Sequence, residues 1–228
     1  MKILVISMEN ENGAKRRNYL NYDYERIIGC EGNSDEDPYV KHVKEKMKLR
    51  YNTLEKTING FSGNFASHLK TLEYIVEKQY DEVIICDDDS ILTNPIPTDL
   101  PNEVCLLSGQ ICHPNNWNKD RKWKKDGKNL EIISNFVEGV NEIDYNLFRW
   151  TQANAYYIPS WEVGKKFLED IKKINTYKSL DHMLSKSKLI KLLYYPAIFK
   201  HHDYLNKSQV ASNPGVIVNY VKQNNQKG

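Results

Sequence analysis

The sequence has few cysteines, only four in 228 residues, and no two of them form a C-x-x-C pair. Cys30, Cys86, Cys105 and Cys112 are scattered, two of them inside apolar runs, so reduced, buried thiols are expected rather than a disulfide framework or a zinc site. A dominant charge is also missing: 32 basic residues face 30 acidic ones, for a formal net charge of +2. Such a chain has no strong overall field to draw it onto nucleic acid or a membrane surface. No apolar run approaches the roughly 20 residues of a membrane span. The apolar part of the opening "MKILVISMEN" is too short for a secretory signal, so the expected location is the cytoplasm. No internal repeat is visible, and no glycine-rich basic phosphate loop follows the first apolar run. What is present is ordinary globular composition, 40% hydrophobic and 27% charged, at a length that suits one domain.

"KILVIS" (2–7) is a short apolar run ending in polar residues, the pattern of a buried parallel strand. "YERIIG" (24–29) is a second strand candidate. Residues 37–58 predict one helix, with Pro38 at its first position and charges of alternating sign. In residues 62–79, Phe65, Leu69, Leu72, Ile75 and Val76 recur at helical spacing, with Ser62 as the expected cap. "DEVIIC" (81–86), "EVCLLSG" (103–109), "QANAYYI" (152–158) and "LLYYPAIF" (192–199) predict further strands. Ser160 caps an expected helix over 161–174. The order predicts an α/β domain with a mostly parallel central sheet flanked by helices. Its expected extent is 1–210, divided into 1–92 and 93–210, followed by a polar tail over 211–228.

The densest chemistry lies in "IICDDDS" (84–90), where an apolar strand runs into three adjacent aspartates. Ligands of open α/β sheets bind outside the carboxyl ends of strands. In an extended segment Asp87 and Asp89 share one side and Asp88 takes the other. Two such carboxylates can share a hard divalent cation such as Mg²⁺ or Mn²⁺. An exposed acidic turn explains the same residues without a ligand.

The segment around them, "GNFASHLKTLEYIVEKQYDEVIICDDDSIL" (63–92), resembles a hallmark of the lipopolysaccharide-type glycosyltransferases, glycosyltransferase family 25, which includes collagen galactosyltransferases. Gly63, Ser67, His68 and Leu69 match the family's G-x-x-x-S-H-L helix, and Asp87-Asp88-Asp89 stands in place of its Glu-Asp-Asp. "VISMENENGAKRR" (5–17), "YERIIGCEG" (24–32), "LPNEVCLLSG" (100–109) and "TQANAYYIPSWEVGKKFLE" (151–169) are similar to further family segments, in family order. Asp181 in "SLDHML" matches a later aspartate. The resemblance covers most of residues 2 to about 210. Asn64 replaces a common cysteine, and residues 117–128 match nothing in the pattern. Compact domains of this kind occur in large DNA viruses, whose members would work in the host cytoplasm, and the Asn- and Lys-rich composition suits such a source.

The resemblance implies a GT-A-type fold and transfer of a sugar from a nucleotide-sugar, UDP-linked, to a hydroxyl of a glycan or glycoprotein. It implies a metal held by Asp87 and Asp89, with His202 as a late histidine completing the shell, and Asp181 as general base. Ser7, Arg17, Asn64, Ser67 and Asp88 are the donor-binding candidates. Each has a plainer reading: Arg16 and Arg17 as solvated helix residues, His68 as a core histidine bonded to backbone, Asp181 as a helix cap, His201 and His202 as surface residues. Residues 115–128 interleave Trp117 and Trp123 with six basic residues, as a nucleic-acid surface, a lid over the donor or a solvated loop would. The neutral charge balance argues against a nucleic-acid partner. Two other functions fit the same acidic strand end, a Mg²⁺-dependent nucleotidyltransferase and a catalytically silent carbohydrate-binding protein.

Overall fold

The computed structural model describes residues 1–47, 55–114 and 119–201. In chain order the elements are β1 (Lys2–Ser7), α1 (Glu11–Arg17), β2 (Glu25–Ile28), α2 (Pro38–Lys46), α3 (Glu55–Lys78), β3 (Val83–Asp87) and β4 (Ser90–Leu92). These lead to β5 (Cys105–Leu106), β6 (Gln110–Cys112), α4 (Asp120–Lys125), α5 (Lys128–Ile133), β7 (Gly139–Glu142) and β8 (Arg149–Thr151). The last are β9 (Ala155–Ile158), α6 (Trp161–Lys172), α7 (Leu180–Lys186), β10 (Leu192–Tyr195) and β11 (Phe199–His201).

Seven strands form one sheet in the order β2-β1-β3-β9-β5-β10-β7. β1 pairs in parallel with β2 and with β3, and β10 pairs in parallel with β5, while β9 and β7 run against their neighbours. Five of the seven strands therefore point one way. β1 and β3 are apolar runs because both faces of the sheet are covered. Leu4, Ile85 and Val83 pack with α3 on one face, and Val5, Ile84 and Cys86 pack with Leu107, Ile198 and Phe199 on the other. No helix among the described residues is long and apolar enough to cross a membrane.

α3 is the long helix of the site. Phe65, Leu69, Leu72 and Ile75 are buried along one stripe, whereas Val76 lies at its half-exposed margin. The helix begins at least as early as Glu55, so Ser62 is an interior residue and not its cap. Its hydroxyl returns to the Asn59 carbonyl at 3.2 Å, the local bond that lets serine sit inside a helix. The single helix expected over 37–58 is broken. Asp37 caps α2 through the N–H groups of Tyr39 and Val40, but Met47 is extended and bridges Tyr177. Residues 48–54 of that expectation lie outside the described residues. α6 starts where expected, with Ser160 accepting the Val163 N–H.

Three strand expectations change. Of residues 152–158 only Ala155–Ile158 form β9, which is antiparallel in the sheet. Residues 103–109 contribute only the two residues of β5 to a strand. The run 192–199 divides around Pro196 into β10, in the large sheet, and β11, which pairs with β4. The basic stretch 119–133 holds the short helices α4 and α5, with Trp123 packed on the core and edge-on to His113 at 6.2 Å. That part is a folded element and not an extended solvated loop; Trp117 lies outside the described residues.

Candidate active site

β1 and β3 are parallel neighbours, so their carboxyl ends come out side by side. A cleft of about 780 Å³ lies there, lined by Ser7, Met8, Asn10 and Arg16, by Gly32, Asn33, Asn59, Asn64 and Ser67, and by Asp87, Asp88 and Asp89. Among the described residues, all of its lining falls between residues 6 and 89.

The extended strand ends at Asp87, and Asp88 and Asp89 occupy the turn before β4. Strict alternation of the three side chains therefore fails. Asp88 and Asp89 both reach Arg16, at 3.2 Å and 3.8 Å. The turn is anchored from β9's approach: the Asp87 N–H and the Ser90 hydroxyl both donate to the Asn154 carbonyl, at 2.9 Å and 2.7 Å.

Each carboxylate has its own compensation. Asp88 is buried, accepts from the Ser7 hydroxyl at 2.8 Å and from Arg16, and its acidity is weakened by that burial against the opposing pull of both donors. Arg17 donates to Ser7 Oγ at 2.5 Å and to the Met8 carbonyl at 3.1 Å, so it backs Asp88 through the serine. Asp87 Oδ1 lies 3.1 Å from His68 Nε2, and His68 Nδ1 lies 2.9 Å from the Tyr156 hydroxyl. Burial raises the pKa of Tyr156 well above its ordinary value, which keeps its O–H available to donate. The Asp87 carboxylate can only accept, so Nε2–H donates to it, and in the neutral ring Nδ1 then accepts the Tyr156 O–H. His68 is buried as expected, but its partners are a hydroxyl and a carboxylate, not backbone. Asp89 Oδ2 lies 2.8 Å from His201 Nε2. The candidate His202 lies outside the described residues.

Asp89 Oδ1 is buried with no hydrogen-bond partner among the described residues. A buried, unpartnered carboxylate oxygen is costly, and a hard cation is the partner such an oxygen suits. Among the described residues no group of three or more His, Cys, Asp or Glu is set to hold a metal ion. Asp87 and Asp89 are the carboxylates here that could hold a cation, with further oxygens supplied by a ligand.

The opposite wall is made by close backbone packing. Gly63 of α3 lies against the 30–32 loop: a Cβ there would fall 2.8 Å from both the Cys30 carbonyl oxygen and the Gly32 nitrogen. Ser67 secures the same loop, accepting the Cys30 N–H at 2.7 Å and donating to the Gly63 carbonyl at 2.6 Å. Its hydroxyl is thus committed to the wall, while the exposed Asn64 side chain lies on the cleft. Gly63→Ala is expected to push the loop outward, costing about 1–3 kcal/mol of stability and weakening ligand binding in the cleft. Urea unfolding checks it; unchanged stability would mean that the wall gives way freely.

Asp181 is the second residue of α7, and Ser179 occupies the cap position. Asp181 Oδ2 accepts the Gln152 N–H at 3.0 Å and Oδ1 the His182 N–H at 2.7 Å. Gln152 has a left-handed φ of 61°, so the carboxylate holds a strained turn two residues before Asn154. Asp181 does not line the large cleft.

Burial pushes the four thiols up, Cys30 to about 11 and Cys105 and Cys112 to about 12, so they are inert structural groups. Burial also lowers His42 and His182 below their ordinary 6.5. The unfolded chain then takes up protons first as pH falls through 6.5, so stability drops on that side and is unaffected by these groups above it. Melting temperatures between pH 7.5 and 5.5 should fall, with a shallower slope in His182→Gln; an unchanged slope there would contradict the assignment.

Residues 1–184 match the model of a family described as glycosyltransferase family 25 (LPS biosynthesis protein). No curated protein matches the chain.

Proposed function

Since the chain belongs to glycosyltransferase family 25 and is a glycosyltransferase, with a nucleotide-sugar donor and an acceptor, we propose that it is a GT-A-type enzyme that uses a UDP-sugar and a divalent ion to glycosylate a hydroxyl of a glycan or glycoprotein. The observation that carries this reading is the convergence of Asp87, Asp88, Asp89 and Arg16 on one cleft at the carboxyl ends of β1 and β3.

In this reading the donor occupies the cleft, with Arg16 and the amide side chains of Asn10, Asn33, Asn59 and Asn64 around it. Arginine suits a diphosphate because its planar donors match phosphate oxygens in pairs. Asp87 and Asp89 would hold Mn²⁺ or Mg²⁺, which would neutralise the charge that builds on the departing nucleotide diphosphate. The Tyr156–His68 pair orients Asp87, and His201 orients Asp89. Arg17 acts through Ser7 on Asp88 rather than on the donor. Asp181 takes the proton of the acceptor hydroxyl as it attacks the anomeric carbon. Residues 1–92 would then be the donor half and 93–210 the acceptor half, of which 202–210, like the expected tail over 211–228, lie outside the described residues.

The test is incubation with UDP-, GDP- and CDP-sugars and Mn²⁺. Consumption of a UDP-sugar that EDTA abolishes is expected; consumption of only a GDP- or CDP-sugar overturns the donor assignment, and consumption unchanged by EDTA overturns the metal assignment.

A further inference from the structure

A second cavity, of about 80 Å³, lies in the acceptor half, lined by Cys112, His113, Arg149, Thr151, His182 and Ser185, with Trp150. β6 and β8, a two-stranded sheet of their own, supply one side, and α7 the other. Its polar groups are donors. Among the described residues neither the Arg149 guanidinium nor the His182 ring has a hydrogen-bond or ion-pair partner. Ser185 accepts the Trp150 N–H at 3.4 Å, so its O–H is left to donate. The nearest acids are committed elsewhere: Asp120 to Lys124 at 2.9 Å and to the His113 N–H, Asp181 to the two N–H groups already described. Burial is the main cause of the lowered basicity of His182, and Lys178, Arg149 and Lys186 add to it against the opposing pull of Asp181. The thiol of Cys112 is neutral.

A half-buried guanidinium with no carboxylate paired to it among the described residues, beside the His182 imidazole and the Ser185 hydroxyl, is complementary to an oxyanion. The space is a few water volumes, enough for a phosphate-sized group and too small for a sugar ring. His182 follows Asp181 directly, and Thr151 precedes the Gln152 whose N–H Asp181 holds. Whatever sits in the cavity is therefore close to the proposed base.

We propose that this cavity is an oxyanion subsite that recognises a phosphate group carried by the acceptor and so selects acidic acceptors and presents their hydroxyl to Asp181. The acceptor part rests on the transferase reading above; the anion site itself does not. Among the described residues it shares no lining with the donor cleft.

The experiment follows the His182 ring resonances by NMR at pH 7.5 while inorganic phosphate, glucose 6-phosphate or glucose is added. Phosphate and glucose 6-phosphate are expected to move the His182 signals and glucose to leave them in place. Arg149→Gln should weaken both phosphates by about 10-fold or more, Arg149→Lys less, and Arg16→Gln in the donor cleft not at all. Signals that stay still with phosphate, or that move equally in Arg149→Gln of normal melting temperature, overturn the subsite. Movement with phosphate but not with glucose 6-phosphate overturns the acceptor role. If the signals move as expected but no UDP-sugar supports transfer, the donor reading fails and the subsite stands.

Discussion

Asp181→Asn is expected to fold with a near-normal melting temperature, bind donor normally and turn over at least about 100-fold more slowly. The structure gives Asp181 two competing jobs. One is mechanical, since its carboxylate holds the Gln152 N–H and thereby a left-handed turn next to the Asn154 latch of the aspartates. The other is proton transfer. Asparagine retains one oxygen that can accept the Gln152 N–H, gives up the acceptor of the His182 N–H at the helix start, and has no basic lone pair to take a proton. A mechanical role therefore predicts near-wild-type turnover in Asp181→Asn and a clear loss of stability in Asp181→Ala. A base predicts the rate loss in both, with kcat falling and donor affinity unchanged. Normal turnover in Asp181→Asn would reassign the residue to the turn and send the search for the base to Asp144, Glu142 or Asp203.

Asp89→Asn should lose activity on the order of 10²- to 10³-fold, the scale of removing one group that stabilises developing charge. Its melting temperature in metal-free buffer should equal or exceed that of the wild type. The second half follows from the geometry. Among the described residues Asp89 Oδ1 is buried without a hydrogen-bond partner, and Arg16, the ion-pair partner of Oδ2 at 3.8 Å, is 57% exposed, too screened to offset a buried charge fully. Asparagine removes that charge and keeps an acceptor for His201. Full activity in Asp89→Asn, or activity indifferent to EDTA, would remove the cation from the account; a marked loss of metal-free stability would mean that Arg16 and His201 already satisfy the carboxylate.

The parts of the fold that were legible in the sequence are those encoded by burial pattern and local capping. β1 and β3 are apolar runs because both faces are covered, α3 carries a stripe at helical spacing, and Ser160 caps α6 through a neighbour three residues away. Strand direction was not legible: Ala155–Ile158 is buried on both faces whichever way it runs, so its side chains carry no sign of the reversal in β9. Nor was the break after Lys46, where the helical pattern continues in sequence while Met47 turns out to pair with Tyr177. In the site, the aspartate cluster and its place at a strand end were readable. Its partners were not, because they come from distant segments. Of the two adjacent arginines, Arg16 rather than Arg17 touches the carboxylates, and helical phase relative to β3 decides that. Ser67 looked like a ligand donor and serves the wall. His68 looked like a core residue, and only the proximity of Tyr156 and Asp87 reveals it as the orienting group. An earlier cue existed for it: a histidine on an apolar stripe needs a polar partner, and the nearest strand end offered one.

The central claim is that the cleft at Asp87–Asp89 binds a uridine diphosphate together with a divalent ion, and calorimetric titration of UDP with and without Mn²⁺ tests it most directly. The account predicts UDP binding that Mn²⁺ tightens by about 5- to 150-fold in the wild type and leaves nearly unchanged in Asp89→Asn. No UDP binding, or binding equally tight with and without Mn²⁺ in the wild type, would contradict it.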